Sequence, residues 1–360
     1  MNKRLSIAAL LLAVPLLYLL AWPVPIDPVS WQAPEDRGLV DPFEVNDRLQ
    51  YARGISIDAF TGPEDATVGV DGNIYATTSS GHVIQVRNRQ VREFSNPGGR
   101  PLGIETDRDG TLVVANALVG LQRIDRAGNV TTLLRSIGGK PAYDVNNLAI
   151  GPDGIIYFSV SSSKFSAAQY TGTYEASLLD IMEHGGNGRV YSFDPESGHV
   201  KVLLEGLNYA NGVAISSDGR FLVVSETGLY RVSKYWLSGD KKGTSEVLLD
   251  NLPGFPDNLK SGANGRFWLG LAAPRNHLLD RLSDKPFLRK VVQRLPAALR
   301  PSAIPSSHVI AFDGDGVVLE NLHDLDARFP TLTGVLETRR ALYLTTLFGN
   351  QLPRIDKRDL

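Results

Sequence analysis

The chain has no cysteine. Disulfides, cysteine-based zinc sites and thiol nucleophiles are therefore excluded. It also lacks a basic excess: 37 Lys and Arg stand against 39 Asp and Glu, a net charge of −2. Phosphate-binding surfaces usually carry such an excess, so nucleic acid is not expected as a partner. There is no P-loop, no GxGxxG, no HExxH and no GxSxG. Each of those motifs carries a defined chemistry that this chain therefore does not advertise. The six histidines (His82, His184, His199, His277, His308 and His323) have no spacing that demands a metal. No heptad or sustained helical periodicity appears before about residue 277.

What the chain does have is glycine and many short β-like runs. It holds 35 Gly in 360 residues, with 42% apolar and 21% charged residues, the balance of a folded globular protein. From about Pro63 onward come Ile74-Tyr75-Ala76-Thr77-Thr78, Thr111-Leu112-Val113-Val114, Ile155-Ile156-Tyr157-Phe158, Phe221-Leu222-Val223-Val224, Phe267-Trp268-Leu269 and Leu342-Tyr343-Leu344. β-branched and aromatic residues dominate these runs, and most follow an Asp-Gly or Asn-Gly turn. Second and third strands lie between them. Repeats of roughly 38–46 residues fit a four-stranded blade. Two gaps are longer, with excess chain at about 164–187 and 274–307. The expected fold is all-β: a six-bladed β-propeller over residues 55–360, with those two insertions, one of them helical. A β-sandwich is the alternative, but it gives no reason for the register that follows.

The first residues are a separate object. Lys3 and Arg4 precede a run from Leu5 to Trp22 that contains no charge. That pattern is a positive flank followed by an apolar segment, at the short end of the length that spans a bilayer. Residues 1–22 are expected to be a signal anchor, the alternative being a cleaved signal peptide. The propeller then lies on the exported side, with residues 23–54 as a spacer, and the protein is membrane-anchored through one pass.

The turns mark a second regularity. Glu64 stands seven residues before Asp71-Gly72, Asn146 seven before Asp153-Gly154, Asn211 seven before Asp218-Gly219 and Asp257 seven before Asn264-Gly265. In a propeller that position begins the innermost strand, and six such positions ring the central channel. Glu64, Asn146, Asn211 and Asp257 form an all-oxygen set with two negative charges. Hard oxygen ligands without His or Cys select Ca²⁺ or Mg²⁺. The two remaining equivalent positions are Leu102 and Thr333. Asn116, Ser161 and Glu226 stand at or just past the ends of innermost strands, as further channel residues or as ordinary strand-end polar groups.

The chain also carries the runs Gly62-Pro63-Glu64, Arg100-Pro101-Leu102-Gly103-Ile104, Val145-Asn146-Asn147-Leu148, Asn211-Gly212-Val213-Ala214, Tyr235-Trp236-Leu237-Ser238-Gly239 and Leu252-Pro253-Gly254-Phe255-Pro256-Asp257-Asn258. Together they resemble the strictosidine synthase-like family, its adipocyte plasma membrane-associated subgroup most closely, over about residues 55–358. The resemblance implies a six-bladed propeller. Through the wider gluconolactonase and phosphotriesterase group it implies a catalytic Ca²⁺ held by Glu64, Asn146, Asn211 and Asp257. The glutamate base of strictosidine synthase falls at Thr333, which argues against that condensation. The family often has Asn-Asp where this chain has Asn146-Asn147, and Thr-Asp-Ser-Ser where it has Ser159-Val160-Ser161-Ser162.

The expected activity is calcium-dependent hydrolysis of a small-molecule ester or lactone, with Asp257 as general base or nucleophile. The alternatives are a membrane-tethered propeller that binds a ligand or protein without catalysis, and a strictosidine synthase-like lyase. In the second insertion, Phe287, Leu288, Val291, Val292 and Leu295 map to one helical face, with Arg289, Lys290 and Arg294 on the others. Residues 277–300 are expected to be a lid, a basic helix resting on the membrane as a second contact, or a helix packed on the propeller.

Overall fold

The computed structural model describes residues 13–360. Short apolar runs bounded by glycine turns cannot bury themselves alone. They pair into six antiparallel four-stranded sheets. The innermost strands of blades 1 to 6 are Pro63–Val68, Pro101–Thr106, Val145–Ile150, Ala210–Ile215, Gly254–Ser261 and Leu332–Glu337. Each leads through a tight turn into a second strand running back. The last sheet is completed by Arg53–Ser56, which pairs with Gln351–Asp356. The chain thus closes the ring with its own beginning.

The core lies between blades rather than within one. Blades 2 and 3 share Val113, Leu121, Val145 and Phe158; blades 4 and 5 share Val223, Val232, Leu269 and Ile310. Similar clusters fill the other contacts round the ring. A propeller this size is held by repeated interfaces of this kind, each burying aliphatic surface that contributes roughly 25 cal/mol per Å².

All six innermost strands carry a bulge at the same register. Pro63 pairs with Thr78, but the next pair is Ala66 with Ala76, so Glu64 and Asp65 together oppose Thr77. The same slip occurs at 102–103, 146–147, 211–212 and 257–258, and a related one at Thr333. A bulge re-aims side chains that strict alternation would send to opposite faces. Two successive residues per blade can therefore reach the axis. The extra backbone N–H is not lost. Asp65, Asn147 and Gly212 donate theirs to Thr77, Ser159 and Ser225. Those hydroxyls donate onward to the carbonyls of Leu102, Asn211 and Asp257 in the next blade.

Both insertions leave from the ends of second strands, so they sit on the face where the innermost strands begin. Thr173–Glu183 forms a helix between Ile156–Val160 and Gly188–Phe193. His277–Arg281 and Pro286–Gln293 form two more between Phe267–Pro274 and Ser307–Phe312. We label these α2, α3 and α4, and the helical stretch over residues 13–21 is α1. The amphipathic reading of α4 is corrected here. Arg289 is 1% exposed and Arg294 is buried, while Phe287 and Leu288 are 54% and 42% exposed. Arg289 turns inward because four carbonyls wait there: those of Met182, Glu183, Val29 and Ser283. Two of them end α2, where a cation also suits the helix dipole.

Residues 23–54 do not stand away from the body. Ile26 is fully buried among α2 and α4 side chains. Val29 and Trp31 donate backbone hydrogen bonds to Glu183 and Ser283, and Trp31 stacks on His184 at 3.9 Å. Of the expected anchor over 1–22, residues 1–12 lie outside the described residues. Among the described residues no helix is long and apolar enough to cross a membrane.

Candidate metal centre

Glu64, Asn146, Asn211 and Asp257 come together. All four line one cavity above the axis of the ring. All four are under 10% exposed. Four positions far apart in sequence meet because each begins an innermost strand and each sits on a bulge. Leu102, at the blade 2 position, lines the same cavity. Thr333, at the blade 6 position, turns away and donates to the Glu64 carbonyl at 2.7 Å.

The two amides are held in one orientation. Asn146 Nδ2 donates to Ser161 Oγ at 2.8 Å, and Asn211 Nδ2 to Thr227 Oγ1 at 3.2 Å. Each hydroxyl has one proton. Ser161 donates its own to Ala210 O, and Thr227 to Pro256 O. Only lone pairs are left for the asparagines, so each must offer its NH₂ to the hydroxyl and turn its oxygen to the cavity. Both Oδ1 atoms are buried there with no hydrogen-bond partner. A buried unsatisfied acceptor costs about 1–3 kcal/mol. Two of them aimed into one pocket call for a donor or a cation.

The carboxylates complete that demand. Burial pushes the Asp257 carboxyl well above its ordinary range, and the charge of Glu64 pushes the same way. Burial also raises Glu64, with Arg100 opposing. Arg100 reaches Glu64 Oε2 at 2.9 Å and is itself mostly buried. One guanidinium thus faces two carboxylates, so ionisation of both would leave one negative charge uncompensated in a buried site. These residues fit a hard divalent cation: two carboxylates, two neutral amide oxygens, and open space for water or ligand. Among the described residues no trio of His, Cys, Asp or Glu gathers at metal-binding geometry, so the amide oxygens are indispensable to such a site.

Sequence reasoning missed the floor of the pocket. The residues after the six register positions are Asp65, Gly103, Asn147, Gly212, Asn258 and Gly334, alternating polar and glycine. The three polar side chains meet on the axis. Asn147 Nδ2 bonds Asn258 Oδ1 at 3.2 Å, and Asn258 Nδ2 holds the Glu64 carbonyl at 2.9 Å. The glycines leave room between them: a Cβ on Gly212 would stand 2.2 Å from Leu259 N. That alternation was visible in the repeats and is the signal that would have found the floor. Arg100 and Tyr209 were missed too, since neither stands at the register. Ser161, left open between channel lining and strand end, is the group that orients Asn146. Ser161→Ala is expected to weaken divalent-cation binding about 10-fold by calorimetry, with Ser161→Thr largely restoring it.

The walls are of different character. Leu178, Ile181 and Met182 of α2, Leu279 of α3, and Phe255 are apolar, and the Pro301–Ala303 turn closes one side. A charged floor under an apolar, partly covered chamber on the propeller axis is the layout of a small-ligand propeller rather than of a flat protein-binding platform.

The strictosidine synthase family model matches residues 146–240, and the model for the N-terminal part of strictosidine synthase-like proteins matches 41–86. Adipocyte plasma membrane-associated protein of Rattus norvegicus is 32% identical over 348 residues, covering 90% of each chain. Strictosidine synthase-like 6 of Arabidopsis thaliana is 31% identical over 322 residues, covering 87% of this chain and 84% of that one. The chain belongs to the strictosidine synthase-like family that includes the adipocyte plasma membrane-associated proteins. Among solved structures, a gluconolactonase of Xanthomonas campestris superposes with a TM-score of 0.61 at 16% identity, covering 85% of this chain and 88% of that one. The calcium-binding protein regucalcin of Agrobacterium tumefaciens gives 0.58 at 14%, covering 83% and 92%. At those identities the likeness establishes the fold.

Proposed function

We propose that this protein is a divalent-cation-dependent hydrolase of small apolar esters or lactones. One observation carries the reading: two partnerless amide oxygens and two buried carboxylates converge at the floor of an apolar cavity. Glu64, Asn146, Asn211 and Asp257 would hold a Ca²⁺ ion. When bound, such an ion supplies Lewis-acid polarisation of the substrate carbonyl. The remaining work belongs to the chain. Asp257 accepts a proton from the attacking water and returns it to the departing alkoxide, so the ester or lactone C–O bond breaks without net proton change. Leu178, Ile181, Met182 and Phe255 hold the carbon skeleton and exclude bulk water. Arg100 opposes the burial that disfavours the Glu64 charge and fixes that side chain. The gluconolactonases that share the fold make lactones the first substrates to try.

A chamber above the four oxygens favours this reading over a closed, structural ion. The lyase alternative loses its base, because the Thr333 hydroxyl is tied to Glu64 O and Thr345. The apolar N-terminal run and the names of the relatives support a membrane-anchored protein with the propeller on the exported side. Aryl acetates and γ-lactones assayed on the full chain should lose activity by at least about 100-fold in excess chelator and recover with Ca²⁺. Cation binding without turnover would leave a ligand-binding propeller; absence of both would remove the reading.

A further inference from the structure

The covered side of the propeller carries an apolar rim. Leu279, Ala303 and Leu347 line the cavity. Their sequence neighbours Leu278, Ile304 and Phe348 point outward, 44%, 55% and 49% exposed. Leu299, beside the turn that closes the chamber, is 64% exposed, and Phe287 and Leu288, on α4 of the same insertion, are 54% and 42% exposed. Apolar side chains this size, grouped round one opening, mark an interaction surface rather than scattered exposure. Arg281 and Lys285 are exposed in the same insertion, Lys285 paired with the exposed Asp284.

The same face receives the N-terminal segment. Arg294 of α4 donates to the Leu19 and Trp22 carbonyls at the end of α1. On α1 and just after it, Leu16, Leu17, Leu20 and Trp22 are between 42% and 63% exposed. They continue the rim into a run that is uncharged from Leu5 to Trp22 and flanked by Lys3 and Arg4. That continuity names the occupant. A second copy of the chain or a protein partner would not require the rim to merge with a membrane-type segment. A bilayer does, because the segment can enter lipid only from the face to which α4 ties it.

We infer that the rim of α3, α4, Leu299, Ile304 and Phe348 seats on the lipid surface, with the cavity mouth facing the membrane. Basic residues at the edge meet lipid headgroups while apolar tips enter the acyl boundary. Ligands then reach the chamber from the lipid side rather than from bulk water. The surface is independent of whatever reaction the chamber performs.

The absence of native cysteine makes the test direct. Single cysteines replace Phe287, Leu299 or, as control, Asp153, each carrying a polarity-sensitive fluorophore. Asp153 lies in the turn after Val145–Ile150, at the far end of that strand. About six residues at ~3.3 Å each place it some 20 Å from the rim. Full-length protein is reconstituted into phosphatidylcholine–phosphatidylglycerol vesicles containing spin-labelled lipid. Probes at 287 and 299 should shift to the blue and lose most of their emission to the lipid quencher, while the probe at 153 keeps its own. Emission at 287 and 299 matching that at 153 would overturn the inference. A blue shift without quenching would overturn it too, since protein rather than lipid would then cover the rim. A probe at Leu288→Cys repeats the reading should either of the first two variants fold poorly.

Discussion

Replacing Asp257 by asparagine should abolish most hydrolysis, by about 10²–10⁴-fold, while leaving the propeller intact. The substitution keeps the shape of the side chain and removes its charge and proton-accepting power. It should also weaken cation binding, because the floor keeps only one carboxylate, Glu64, already paired with Arg100. The informative measurement is stability with and without the cation. In the cation-free wild type, Asp257 and Glu64 are buried, and the charge of Glu64 makes ionisation of Asp257 harder. Removing one charge relieves that repulsion. With chelator present, Asp257→Asn should therefore unfold at a denaturant concentration equal to or above that of wild type. With Ca²⁺ present the order should reverse, because ligand binding stabilises the folded wild type in proportion to affinity. A variant less stable under both conditions would make Asp257 an ordinary structural residue and remove it from the chemistry. Unchanged activity would do the same.

The register of turns made the ring legible before any coordinates. Seven residues before a glycine turn is a statement about strand length, and strand length is conserved where six blades must meet at one axis. That is why Glu64, Asn146, Asn211 and Asp257 could be assigned to one cavity from spacing alone. The bulge was not legible. The polar–glycine alternation after the register stood in the sequence, but pairing of the first two strands is what explains how Asp65, Asn147 and Asn258 also reach the axis. The spacer reading failed for a related reason. Proline-rich, polar sequence over residues 27–41 suggests solvent, yet its backbone is claimed by tertiary partners: Arg289 takes the Val29 carbonyl and Arg275 that of Pro34. Periodicity misjudged α4 because it weighs arginine as a surface residue. A guanidinium with five donors is at home in the interior wherever enough carbonyls converge.

Lys260 is the residue whose loss should cost the fold most. It lies at the third position after Asp257 in the blade 5 innermost strand, 4% exposed, beneath the candidate centre. Its Nζ lies 3.0 Å from Asp65 Oδ2 and 2.8 Å from Glu105 Oε1, and it also donates to the Ile104 carbonyl. Burial opposes the charge, but Asp65 and Glu105 outweigh it and hold the ammonium above its ordinary pKa. The lysine thus ties blade 5 to blades 1 and 2 across the axis. Lys260→Met keeps the length and removes the cation. Breaking a buried pair on one side strands the other, so the variant should lose about 3–5 kcal/mol in urea unfolding. Asp65→Asn in the same chain should recover part of that loss, with a coupling of about 0.5–3 kcal/mol. A change within about 0.5 kcal/mol for the single variant would mean that the ammonium holds nothing together. The pairing also bears on the site above. Asp65 adjoins Glu64 in sequence and in the bulge, and without Lys260 its charge would add to the two already there. Neutralised by a fixed internal cation, it leaves Glu64 and Asp257 as the pair that asks for an external one. The two substitutions should therefore separate cleanly: Lys260→Met lowers stability whether or not Ca²⁺ is present, whereas the stability effect of Asp257→Asn changes sign with it.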